Sequence, residues 1–219
     1  MTSSEHAVSI CSREITLEGD LSVPHYAKGI VIFAHGSGSS RYSPRNRYVA
    51  RTLQDSGLAT LLFDLLTIQE EDEERWTRHL RFNIPLLADR LVSTTDWIKN
   101  NAESRNLNIG YFGASTGAAA ALVAAANRPN VVEAVVSRGG RPDLAGTNLE
   151  FVKAPTLLVV GENDQTVIEL NRTALMKLNK VKNKKIVIIP RATHLFEEPG
   201  TLEQVASIAC NWFLNYLRK

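Results

Sequence analysis

The run Gly110-Tyr111-Phe112-Gly113-Ala114-Ser115-Thr116-Gly117 sets a serine at the centre of a Gly-x-Ser-x-Gly pentad, between an apolar stretch and an alanine-rich one. A strand that turns at once into a helix holds such a serine in a strained conformation, its hydroxyl lifted above the sheet. Gly113 and Gly117 stand two residues before and two after, where strand and helix crowd and a side chain would clash. A serine hydroxyl is a poor nucleophile at neutral pH and needs a base. Imidazole suits because its pKa is about 6.5. A carboxylate must then hold the imidazole tautomer and stabilise the imidazolium that forms. Ser115, Asp164 and His194 supply these parts in the chain order serine, acid, histidine. Glu162, nearer a strand end, and Asp64, after a different strand, compete for the role of acid.

Acyl transfer builds negative charge on a carbonyl oxygen, and each preorganised amide aimed at it is worth about 10²–10³ in rate. The loop His35-Gly36-Ser37-Gly38-Ser39 follows another apolar run, and its glycines let the backbone approach a substrate closely. The amides of Ser37 and Thr116 are the expected oxyanion-hole donors, the second at a helix N-terminus. Arg138, directly after a strand, and His35 are the candidate substrate-binding residues. His35 is expected mainly to brace the glycine-rich loop, and Arg138 either to fork onto an acidic substrate group or to be a solvated or structurally paired arginine. Arg41, Arg45 and Arg47 follow the same loop.

These residues need elements to hold them. Short apolar runs at Ile30–Phe33, Ala59–Phe63, Leu107–Phe112, Val131–Val136, Thr156–Val160 and Lys185–Ile189 read as parallel strands covered on both faces. Helical patterns lie between them. Ser43-Pro44 reads as a cap followed by proline in the first turn, with Gly57 as the stop. A second helix begins near Asn83-Ile84-Pro85 with Leu87, Leu91 and Ile98 on one face. The alanine run after Ser115, Gln165–Asn179 and Thr201–Leu217 complete the set. Val8–Glu18 and Asp20–Val23 read as two antiparallel edge strands around Gly19. The acidic run Glu70–Glu74 reads as a solvated loop. Alternation of strand and helix predicts an α/β fold, one mostly parallel sheet of about seven or eight strands with helices on both faces.

The chain of 219 residues with a net charge of +2 suits a single domain over 1–219 with a sizeable core. It shows no basic stripe for nucleic acid and no apolar stretch for a bilayer, so neither partner is expected. Met1 to Ile10 lacks the pattern of a secretory signal, and a cytoplasmic location is expected. Cys11 and Cys210 are expected to be free thiols, and no metal or other cofactor is required.

The chain resembles the α/β-hydrolases, and within them the dienelactone-hydrolase-like small esterases. Four motifs carry the likeness: Phe33-Ala34-His35-Gly36-Ser37-Gly38-Ser39, Gly113-Ala114-Ser115-Thr116-Gly117, Gly161-Glu162-Asn163-Asp164 and Ala192-Thr193-His194-Leu195-Phe196. The resemblance implies an α/β-hydrolase fold without a cap domain and favours Asp164 as the acid. It implies a serine hydrolase of carboxylic esters or lactones of small soluble substrates. Dienelactone hydrolases proper use a cysteine where this chain has Ser115. The same triad would also serve an acyltransferase, a thioesterase or a peptidase, and the fold alone would serve a non-catalytic receptor.

Overall fold

The apolar runs of the sequence become the strands of one sheet in a computed structural model that describes residues 4–77 and 79–218. The strands are β1 (Ser4–Ser12), β2 (Ile15–Val23), β3 (Ile30–Ala34), β4 (Ala59–Phe63), β5 (Ile109–Ala114), β6 (Val132–Arg138), β7 (Thr156–Gly161) and β8 (Lys184–Ile189). Their order is β1-β2-β4-β3-β5-β6-β7-β8. From β4 to β8 neighbours run parallel, whereas β2 pairs antiparallel with both β1 and β4. Every residue of β3, β4, β5 and β7 is buried, as parallel strands covered on both faces must be.

The helices are α1 (Pro44–Asp55), α2 (Ile68–Thr77), α3 (Ile84–Asn100), α4 (Thr116–Asn127), α5 (Gln165–Lys177) and α6 (Thr201–Tyr216). Ser43 caps α1 by accepting from the Asn46 amide, with Pro44 in the first turn where its missing N–H costs nothing. Asn83 does the same for α3 through the Leu86 amide. Leu87, Leu91 and Ile98 all face the core from α3. Each removes enough apolar surface from water to contribute about 1.5–3 kcal/mol. Helix α4 is buried from Thr116 to Ala125, because alanine lets it press against the sheet. One core lies between the sheet and α3 and α4, another between the sheet and α1 and α6, and a small third cluster joins Val160 of β7 to Val167 and Ile168 of α5.

Two expectations are corrected. The N-terminal hairpin turns at Arg13 (φ 56°) rather than at Gly19, which sits inside β2. A Cβ on Gly19 would lie 3.1–3.2 Å from Leu61, Leu62 and Phe63, so that glycine permits close strand approach and makes no turn. The acidic run is not a solvated loop but helix α2. Thr67 and Glu70 form a capping box, the Glu70 amide donating to Thr67 Oγ1 and the Thr67 amide to Glu70 Oε2. Glu70 also pairs with Arg90, which donates to the Leu65 carbonyl as well. Glu74 is fully buried and accepts from the amides of Leu80 and Arg81. Trp76, near the end of α2, is 88% exposed. Cys11 is exposed and Cys210 buried, and neither forms a disulfide. No helix among the described residues is long and apolar enough to cross a membrane.

Candidate active site

Parallel strands deliver the loops at their carboxyl ends to one edge of the sheet, where ligands of such folds bind. At the end of β5, Ser115 has φ 51° and ψ −121°, a left-handed conformation that costs a non-glycine residue about 1–3 kcal/mol. Its surroundings enforce that shape. The Ser115 amide donates to the Arg138 carbonyl at 3.2 Å, and its own carbonyl accepts from the amides of Ala118 and Arg141. A Cβ on Gly113 would lie 2.4 Å from Ala118 Cα, and one on Gly117 2.2 Å from the Ala34 carbonyl oxygen. Only glycine fits either position.

The loop after β8 brings His194 to the same edge. Its Nδ1 lies 2.6 Å from Asp164 Oδ2 at the end of β7. An ionised carboxylate only accepts, so Nδ1 carries the proton and the Nε2 lone pair is left free. Neither Nε2 of His194 nor Oγ of Ser115 makes a hydrogen bond among the described residues, so the two are not bonded to one another here. The imidazole does reach the end of β6: its Cε1 would lie 3.6 Å from a Cβ on Gly139, one residue past Arg138. The loop is pinned from below. Asn163 donates to the carbonyls of Ala192 and Arg191, and Glu162 accepts from the Arg191 amide. The competing acids are thereby occupied, Glu162 with this loop and Asp64 with the Arg41 side chain and amide.

The glycine-rich loop after β3 runs against the serine, since a Cβ on Gly36 would stand 3.0 Å from Ser115 Cβ. His35 holds this loop to the one after β4, accepting the Leu65 amide at Nε2 and meeting the Gly36 carbonyl at Nδ1. Both ring nitrogens are used internally. Burial pushes its pKa below the ordinary value, which keeps the ring neutral in this tautomer. The Ser37 amide donates at 2.9 Å to Thr116 Oγ1, a contact the motif did not announce. The Thr116 amide, at the first turn of α4, has no acceptor among the described residues. Leu65, Leu66, Leu87 and Arg81 line a narrow cleft beside these two residues. Arg81 carries the α2 segment over the loop, bonding Glu71 and accepting from Ser37 Oγ through its carbonyl.

Arg138 ends β6 opposite Ala114. Alternation along the strand gives it the face of Ala134 and Val136, which pack with α1 and α6. Only 8% of it is exposed, and its Nη1 is buried without a hydrogen-bond partner among the described residues. Burial, with repulsion from Arg45 added, pushes its guanidinium pKa down to about 10. Arg45 itself bonds Glu197 at 3.0 Å, while Arg41 pairs with Asp64 and Arg47 with Glu5. The latter two arginines therefore belong to the framework.

Sequence reasoning missed the Thr116 contact, because a side chain reaching across 79 residues leaves no local trace. It also missed the α2 segment, although Thr67-Ile68-Gln69-Glu70 carries the capping-box signature.

Residues 17–217 match the sequence profile of the dienelactone hydrolase family. The crystal structure of a dienelactone hydrolase from Anabaena variabilis is 61% identical, with a TM-score of 0.95 over 99% of both chains. The Pyrococcus furiosus esterase Pf2001 is 18% identical and covers 98% of this chain and 94% of its own. Its TM-score of 0.78 shows a shared fold. Two Mycobacterium tuberculosis proteins, provisionally named as phosphoribosyl transferases, are 54% identical over 213 residues, 97% of this chain. The chain spans about half the length of these curated relatives, 47%.

Proposed function

The chain belongs to the dienelactone hydrolase family, and from that premise we propose that it is a serine hydrolase of small carboxylic esters or lactones, acting through an acyl-enzyme on Ser115. The observation that carries the reading is the strained serine at the end of β5 beside an imidazole whose Nδ1 is held by Asp164 at 2.6 Å. His194 Nε2 takes the Ser115 proton as Oγ adds to the substrate carbonyl. The contact between them closes when substrate fills the site, as such contacts commonly do. Collapse of the tetrahedral intermediate breaks the bond to the alcohol oxygen, which leaves with the proton that His194 took from Ser115. Water then adds to the acyl carbon as the same nitrogen takes its proton, and that proton passes to Ser115 Oγ as the acyl–oxygen bond breaks and the acid leaves. The His194 side chain is 40% exposed, so water reaches it without a rearrangement. The helix N-terminus at Thr116 favours the oxyanion.

Arg138 defines the substrate further. Its buried guanidinium has no carboxylate partner among the described residues, which is costly unless a ligand supplies one, so the preferred ester or lactone carries a carboxylate. The transferase name belongs to relatives about twice as long, and the segment shared with them is the one that matches the hydrolase profile.

A fluorophosphonate probe tests the assignment. Mass spectrometry should find the label on Ser115, and Ser115→Ala should lower ester turnover by roughly 10⁴–10⁶ with the fold intact. Labelling elsewhere, or full activity in the variant, overturns it.

A further inference from the structure

The Ser37 amide, which the glycine-rich loop presents toward the site, is not free to meet a substrate oxygen directly. It donates to Thr116 Oγ1 at 2.9 Å. A hydroxyl that accepts one N–H keeps its own hydrogen to give, and that hydrogen rotates to suit its surroundings. Among the described residues nothing accepts it. Thr116 is 4% exposed, so water does not readily compete for that hydrogen. The same residue presents its backbone amide, also without an acceptor, at the N-terminus of α4 and one residue past Ser115. The Thr116 hydroxyl and amide therefore stand side by side at the nucleophile. Behind them, His35 clamps the loop that holds the Ser37 amide in place.

We propose that the Thr116 hydroxyl is a catalytic donor of the oxyanion hole, polarised by the Ser37 amide, so that one residue gives both its Oγ1–H and its N–H to the oxyanion. The proposal rests on the acyl-enzyme reading above. As Ser115 Oγ bonds to the carbonyl carbon, the π pair moves onto the carbonyl oxygen. That oxygen then accepts from both groups of Thr116. No proton is transferred to it, and the Ser115 proton resides on His194. Ser37 N–H strengthens the hydroxyl as a donor because hydrogen bonds in a chain polarise one another. The assignment differs from two backbone amides acting alone in one checkable way: it makes activity depend on the side chain at residue 116.

Thr116→Val keeps the size, the β-branching and the backbone amide but removes the hydroxyl. It should lower kcat by about 10²-fold, in the range of one lost oxyanion donor, and leave KM within about threefold. Thr116→Ser should restore most of the rate, and Thr116→Ala should behave as the valine variant. Affinity for a trifluoromethyl ketone, whose adduct carries the oxyanion, should fall in parallel with kcat, whereas a purely structural role would leave that parallel absent. Thermal melting identifies folded variants. If valine destabilises the protein, the comparison of alanine with serine carries the test. Folded hydroxyl-free variants with kcat within twofold of wild type overturn the proposal and return the oxyanion to the Ser37 amide. Failure of the wild-type protein to label at Ser115 overturns instead the acyl-enzyme reading on which it rests.

Discussion

Replacing Arg138 with methionine should make the protein more stable and less discriminating. The guanidinium is held in a site that lowers its pKa from the ordinary arginine value to about 10, chiefly through burial, with Arg45 adding repulsion. At about 1.4 kcal/mol per pKa unit, keeping that charge costs the fold on the order of 3 kcal/mol. Methionine preserves a straight chain that adapts to its surroundings and removes the charge. Exchanging buried ions for apolar groups of similar volume commonly gains about 1–4 kcal/mol. A gain of 2–3 kcal/mol in a chain of this length raises the melting temperature by roughly 5–10 °C. The sign follows from the direction of the shift. A cation whose folded pKa is depressed carries its penalty at all pH values below about 10. The advantage of Arg138→Met is therefore full at pH 7 and shrinks as the pH rises through that value. The functional loss is read by comparing a 4-nitrophenyl hemiester of a dicarboxylic acid with the ester of the matching monoacid. Truncating one partner of a buried charge pair costs about 2–5 kcal/mol. The kcat/KM preference for the charged ester should then fall by about 30-fold or more. A variant that melts below wild type and hydrolyses both esters in an unchanged ratio refutes the reasoning.

Asp164→Asn should lower kcat by about 10⁴ with little change in melting temperature, because the amide no longer selects the imidazole tautomer. Steady-state kinetics and a thermal melt check both halves of that statement. Gly117→Ala should destabilise by at least about 1–3 kcal/mol in urea denaturation and abolish phosphonate labelling, since its Cβ meets two backbone oxygens at 2.2 and 2.4 Å. Burial of Glu70 raises its pKa, but the bonds from Arg90 and Thr67 outweigh that and hold the carboxyl below its usual range. A depressed carboxyl contributes stability above its unfolded pKa of about 4.3 and loses it as pH falls through the folded value. Glu70→Gln should accordingly flatten the acid side of the melting-temperature profile between about pH 5 and 3.

Local rules carried the sequence reading far. Pro44 and Pro85 belong in first turns because they lack an N–H, and Ser43 and Asn83 cap those helices. Gly113 and Gly117 flank a serine at a strand–helix junction because nothing larger fits. Parallel strands read as continuous apolar runs, so β3 to β8 were legible to within a residue or two at their ends, whereas the bounds of β1 and β2 were not. Gly19 and the acidic run misled for a shared reason. A glycine looks the same whether it turns a chain or lets a neighbouring strand close in. A run of glutamates looks solvated until Arg90 and the amides of Leu80 and Arg81 are known to lie against it.

By itself the order of residues determined the layered α/β architecture, the candidate nucleophile and its candidate base. Each depends on backbone sterics and on apolar spacing within some ten residues. Only the tertiary structure decided which carboxylate holds His194, that Arg41 and Arg47 are neutralised while Arg138 is not, and that the Ser37 amide rests on Thr116. Those are pairings between segments far apart in the chain. Their partners are chosen by which strand ends become neighbours in the sheet, and a linear pattern does not encode that choice locally.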